Sequence, residues 1–277
     1  MAAEDQVGVR LSGPYYLHTI RRLLRDLHPL FGLESPAVVR VDMSALTFMG
    51  PAAMALTLAT LSKARAEGLM APKSVIVAPR SRGVFTYLYR MDFIRVLFEG
   101  VAVHDPVERH ETTGLRECRH FLSEDECVVA ARDLAEALEE KVSTDAMSKN
   151  SLYVCLSELT ENVFFHAGTK HGGFAVAQPL THSKEIEVAI VDLGVGIAAS
   201  LRKNPQYAPD TTDDLMAIKT AIRPTVTATP GRNSGYGLAF TRYLLQINQG
   251  RLVVRSGNGY LQDGAHRVER VVADMGM

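Results

Sequence analysis

Glu158 and Asn162 stand four residues apart in Ser157-Glu158-Leu159-Thr160-Glu161-Asn162, a spacing that puts both on one face of a helix. A carboxylate beside an amide oxygen suits chemistry at a phosphate. The amide oxygen can ligate Mg2+, a hard ion that keeps several waters and takes few protein ligands, and the carboxylate can orient or deprotonate a nucleophile. A second group is Asp192-Leu193-Gly194-Val195-Gly196, directly after the apolar run Ile186 to Val191. At the end of a strand, Asp192 can accept a hydrogen bond from an exocyclic amine, and the glycines let the backbone approach a flat ring. A third is Gly231 to Leu238, where Gly235 and Gly237 precede an apolar helical stretch. Free amides at a helix N-terminus attract phosphate. A Walker loop would end in Lys-Ser or Lys-Thr, which this stretch lacks, and a Rossmann fingerprint would sit in the first strand-helix turn. Singly, the three groups are also what a solvated helix face, a strand-ending turn and a Gly-rich helix start look like. Their order and spacing together are far more specific.

Each group needs an element to hold it. Leu152, Cys155, Leu156, Leu159 and Val163 form an apolar stripe that anchors a helix over about Met147 to Ala167. Before it, a strand is expected near Cys118 to Leu122. Ser123, with Glu126 three residues on, then signals a capping box for a helix running through Lys141. Strands are expected at Gly173 to Gln178 and Glu185 to Val191. A helix opens at Gly235, runs to Asn248 and stops at Gly250. Arg251 to Ser256 returns as a strand before an Asn258-Gly259 hairpin turn.

In order and spacing these elements resemble the GHKL, or Bergerat-fold (HATPase_c), ATP-binding domain, across about 150 residues. The resemblance implies that Glu158 and Asn162 form the N box, with Glu158 as general base and Asn162 as Mg2+ ligand. It implies that Asp192 reads the adenine amine, with Gly194 and Gly196 beside it and Gly196 beneath the ring. Ser234, Gly235, Tyr236, Gly237 and Leu238 would wrap the triphosphate. Ala198 to Asn233, rich in Thr and carrying Pro205, Pro209, Pro224 and Pro230, would be the ATP lid, with a short helix around Asp213 to Ile222. The family usually closes with a strand carrying a Gly-Thr step. Gly264 to Met277 has none.

The N-terminal half reads as alternating helix and strand. Helices are expected over Tyr15 to Leu30, Pro51 to Glu67 and Arg82 to Met91. Strands are expected at Ala37 to Val41, Ser74 to Ala78 and Ile94 to Phe98. Val38 to Met49 followed by Gly50-Pro51-Ala52-Ala53 resembles a STAS domain, with a generic α/β domain as the alternative. In that family a hydroxyl at this helix start is phosphorylated; here none is present, and Pro51 suits a first helical turn instead. The resemblance implies a docking or intramolecular control surface. Polar, turn-forming residues around Asp105, Pro106 and Gly114 suggest a linker. The expected division is therefore a STAS-like domain over 1–103, a linker over 104–117 and an ATP-binding domain over 118–277. The expected fold class is α/β (α+β), with a mixed sheet in the first half and a Bergerat-fold sandwich in the second.

The chain has 277 residues, 47% of them hydrophobic, and a formal net charge of −1. That length supports two ordinary cores, and the charge balance does not argue for nucleic acid or an anionic membrane surface. No apolar stretch approaches the roughly 20 residues that cross a bilayer. Cys118, Cys127 and Cys155 fit neither a disulfide framework nor a zinc knuckle, so reduced thiols in a cytoplasmic protein are expected. The resemblances imply an ATP-binding regulatory protein similar to anti-sigma-factor serine kinases. It would bind Mg-ATP and transfer phosphate to Ser or Thr of a protein partner, STAS-type or sigma-factor-like, in bacterial partner switching. The alternatives are a non-catalytic nucleotide-gated module, and an ATPase whose lid closure drives homodimer formation.

Overall fold

The computed structural model describes residues 6–98, 115–140, 146–180, 185–228, 235–264 and 268–271. The fold is mixed α/β, with several small sheets. In the first half, β1 (Gln6–Tyr15), β2 (Val38–Met49) and β3 (Val75–Val77) form a sheet in the order β1-β2-β3. Where a mixed sheet was expected, both described pairings are parallel. Parallel neighbours need crossover connections. These are α1 (Ile20–Phe31), between β1 and β2, and α2 (Pro51–Ala66), between β2 and β3.

Both halves of the chain pack around α2. Gly50 is its N-cap and Pro51 its first residue, as the sequence suggested. Every residue from Ala53 to Leu61 is buried. A helix apolar on all sides must be covered on all sides. Its buried hydroxyls are satisfied inside the helix: Thr57 donates to the Ala53 carbonyl and Thr60 to that of Leu56, both at 2.8 Å.

The cover comes from the second half. β4 (Arg116–Phe121), β5 (Gly173–Pro179) and β6 (Ile186–Asp192) form an antiparallel sheet in the order β4-β5-β6. One face of this sheet lies on α2, and the other lies on α5 (Glu124–Glu139) and α6 (Ala146–His166). Side chains along β5 alternate accordingly. Phe174 and Val176 join the core that contains α2, whereas Ala175 and Ala177 join the core under α5 and α6. With both faces covered, Gly173 to Ala177 is buried at every position. The core around α2 is thus continuous across both halves of the chain.

Polar contacts stitch the same seam. The Ala52 N–H donates to Glu187 Oε1 at 3.0 Å, so a carboxylate from β6 caps the start of α2. The Tyr87 hydroxyl lies 2.7 Å from Gln178 Oε1 and 3.0 Å from the Met49 carbonyl. Arg90 and Glu117 form an ion pair, and the Cys118 N–H donates to the Met91 carbonyl at 2.8 Å.

Several expectations needed correcting. Ile94 to Phe98 is not a strand: α3 (Arg82–Arg90) is followed by α4 (Phe93–Leu97), because Asp92 at φ 56° turns the chain back into a second short helix. β1 was not anticipated. Of the expected linker, 104–114 lies outside the described residues, and Arg116 and Glu117 already belong to β4. Lys141, the expected end of α5, is also outside them. The capping box of α5 forms as expected, with Ser123 accepting from the Glu126 N–H and Glu126 from the Ser123 N–H.

The remaining strands, β7 (Leu252–Ser256), β8 (Gly259–Asp263) and β9 (Val268–Val271), make a separate antiparallel sheet. Ser256 pairs with Gly259, so the two-residue hairpin loop is Gly257-Asn258, one step earlier than the Asn258-Gly259 turn expected. Among the described residues, no helix is long and apolar enough to cross a membrane.

Candidate functional site

α6 is fixed along its length before it presents anything. Thr160, fully buried, donates to backbone carbonyls within α6 and faces the Cys127 carbonyl of α5 at 3.2 Å. The Cys127 thiol in turn lies 3.5 Å from the Thr160 carbonyl. Leu156 and Val163 sit in the core beneath. Glu158 and Asn162 are left half-exposed on the flank. Burial raises the pKa of the neighbouring Glu161, and the charge of Glu158 adds to it.

The start of α9 (Gly237–Ile247) meets this flank. A Cβ at Gly237 would fall 2.7 Å from Glu158 Cβ and 3.2 Å from Glu158 Oε2. Only glycine permits that approach. Thr241 folds its hydroxyl back onto the Gly237 carbonyl at 2.8 Å and also lies beside Cys155 of α6. Burial is the larger influence on that thiol, which is pushed up to about 11. Tyr236 precedes the helix with its side chain half in solvent, and Leu238 packs inward. Gly235 lies against the backbone of Thr225 and Val226. Ser234 lies outside the described residues.

The Asp192 turn reaches the other end of α6. Asp192 Oδ1 accepts the Gly194 N–H at 2.8 Å, a side-chain-closed turn. Among the described residues, Oδ2 has no hydrogen-bond partner. Burial raises the Asp192 carboxyl above the usual range, partly offset by the Gly194 N–H. The Val195 N–H donates to the Ala167 carbonyl at 2.7 Å, just past the end of α6. Gly194 sits so close to Ala167 that any side chain would strike its carbonyl. Gly196 opens α7 (Gly196–Leu201). There the Ile197 N–H donates to Ser256 Oγ of β7 at 2.7 Å.

α6 and the residue that follows it therefore touch both glycine groups, through Glu158 at Gly237 and through Ala167 at Gly194. Ala167, Thr241 and Ser256 complete the arrangement and were not anticipated; nothing in their types distinguishes them in the sequence. On the far side of the sheet, His171 approaches Glu67 just beyond α2, Nε2 to Oε1 at 3.3 Å.

The expected lid has a core of its own. α8 (Asp214–Ala221) is capped by Asp213, which accepts the Met216 N–H at 2.8 Å. Ile218 and Ile222 pack with Val254 and Leu261 of the β7–β8 hairpin. The Asn258 N–H donates to Asp214 Oδ2 at 2.9 Å. What was expected as a cover thus has a helix docked on the last sheet.

Among the described residues, no three His, Cys, Asp or Glu side chains cluster as a metal site. A divalent ion here would take the Asn162 amide oxygen, with the rest of its shell from phosphate and water, which is how Mg2+ is commonly held. No family model, curated protein or solved structure matches the chain.

Proposed function

We propose that the chain binds Mg-ATP where α6, the Asp192 turn and the start of α9 meet. Under this proposal it acts as a nucleotide-dependent regulator of a protein partner, as anti-sigma-factor serine kinases do. The observation that carries the proposal is the double contact of α6 with both glycine groups. It gathers an amide oxygen, a carboxylate, a helix N-terminus and a half-buried Asp in one region. Asp192 Oδ2 is available to an exocyclic amine, and the amides at the start of α9 suit phosphate. Ser or Thr of a STAS-type or sigma-factor-like partner would accept the phosphoryl group. Homodimer formation and a cytoplasmic location belong to the same proposal.

The approach of Glu158 to Gly237 favours a second reading, a nucleotide-gated module without turnover. A carboxylate packed on the first residue of α9 can report helix position as readily as it can activate a nucleophile. Calorimetric titration with Mg-ATP tests the common core of both. Wild type is expected to bind, Asn162→Ala to lose about tenfold in affinity in the presence of Mg2+, and Asp192→Asn to lose at least as much. Equal binding by all three proteins, or binding by none, would sink the proposal. Label transfer from ATP that Glu158→Ala abolishes selects the kinase; binding without transfer selects the module.

A further inference from the structure

Across the β4–β6 sheet from Asp192 lies a cleft of about 330 Å³. Its walls come from both halves of the chain. α2 contributes Leu58, Ser62 and Arg65, α4 contributes Leu97, and the sheet contributes His120 and Phe174. Leu58, Ser62 and Arg65 follow helical spacing on one face of α2, at the end where the all-round burial of that helix gives way to solvent. The floor is rigid. The His120 ring stacks on Phe174 with centroids 4.4 Å apart and planes parallel, and His120 Nε2 is held 2.8 Å from the His171 carbonyl.

Arg65 gives the cleft its chemistry. Among the described residues, the one hydrogen-bond partner of its guanidinium is the Leu97 carbonyl, and no carboxylate pairs with it. A guanidinium carries five donors in a planar fork, so one carbonyl leaves an edge open to a planar anion. Arg65 is also the one Arg or Lys side chain among the lining residues, so a singly charged ligand matches it. Beside it, Ser62 offers a hydroxyl, and Leu58, Leu97 and Phe174 offer an apolar surface.

We propose that this cleft binds a small amphipathic monocarboxylate, its carboxylate on Arg65 and Ser62 and its alkyl chain over Leu58, Leu97 and Phe174. The position gives such a ligand something to act on. His120, Phe174 and Val191 form one rung of the sheet; Phe121, Gly173 and Asp192 form the next. The occupant would press on one face of the sheet a single rung from the Asp192 turn. The cleft stands independently of nucleotide binding, because none of its residues belongs to the α6–α9 region.

Titration of the intact chain with hexanoate, hexanamide and inorganic phosphate, without nucleotide, tests the proposal. Hexanoate is expected to bind, with hexanamide and phosphate each about tenfold weaker or more. Arg65→Met is expected to lose about tenfold. Ala66→Trp, at an exposed lining position, is expected to fill the mouth and block binding. Both substitutions are at exposed sites, so urea midpoints close to wild type are expected to accompany the loss. Absence of hexanoate binding at millimolar concentration overturns the site, as does equal binding by wild type and both variants. Equal affinity for hexanamide overturns the carboxylate, and equal affinity for phosphate overturns the apolar half.

Discussion

Asp192, proposed above to meet an exocyclic amine, costs the fold something even without a ligand. Its carboxyl is half-buried at the end of β6, with one oxygen closed onto Gly194. Burial raises its folded-state pKa above the unfolded value. Such a group contributes stability that is fully present below the unfolded pKa and is lost as pH rises through the folded one. At neutral pH the ionised carboxylate is therefore a penalty. Asp192→Asn keeps an oxygen for the Gly194 N–H and removes the charge. We expect it to unfold at higher urea than wild type at neutral pH, with the difference closing on acidification below the folded pKa. Parallel urea titrations across pH check this. A variant less stable than wild type at neutral pH would mean that Asp192 is compensated by something other than Gly194. Gains in stability with losses in binding at one residue are the pattern expected of a site.

At the scale of elements, the outcome turned on whether an element's partner could be seen in its own sequence. α5 was legible because its capping box is local, Ser123 and Glu126 three residues apart. β5 and β6 were legible because both are apolar runs bounded by turns. β1 was not, since Gly8, Ser12, Gly13 and Pro14 interrupt its alternation. α4 was misread because Phe93 to Leu97 is rich in strand-forming residues, and nothing local announces the left-handed Asp92 that turns it into a helix. In the candidate site, the Glu158–Asn162 pair and both glycine groups were visible as residue types at spacings. The contacts that join them, Ala167 to Gly194 and Ser256 to Ile197, span unremarkable residues and become visible only in three dimensions. Ser256 gives a test at this scale. Its Oγ is the acceptor for the first free amide inside α7. Ser256→Ala is expected to cost about 1 kcal/mol and to speed hydrogen exchange at Ile197 more than at amides of α5. Unchanged exchange at Ile197 would show that α7 does not depend on β7.

For the molecule as a whole, α2 is the decisive element. It is buried at every position from Ala53 to Leu61, but the strands β5 and β6 that cover it come from more than a hundred residues further on. A shared core predicts one cooperative unfolding transition, seen alike by far-ultraviolet and by tyrosine near-ultraviolet dichroism. Two resolved transitions would contradict it. Glu187 probes the same seam. Glu187→Ala leaves the Ala52 N–H without its acceptor and is expected to cost about 1–3 kcal/mol. Glu187→Gln keeps an acceptor and removes a carboxylate whose pKa burial raises, so it should cost less at neutral pH. The seam also sets a timetable during synthesis. α2 leaves the ribosome long before β5 and β6 exist to cover it. At bacterial and eukaryotic elongation rates, the residues from Leu61 to Asp192 take roughly 7–26 s to make. Throughout that interval the nascent chain carries an apolar helix with one side still uncovered, a natural target for chaperones, and its first half cannot finish folding until the second half arrives.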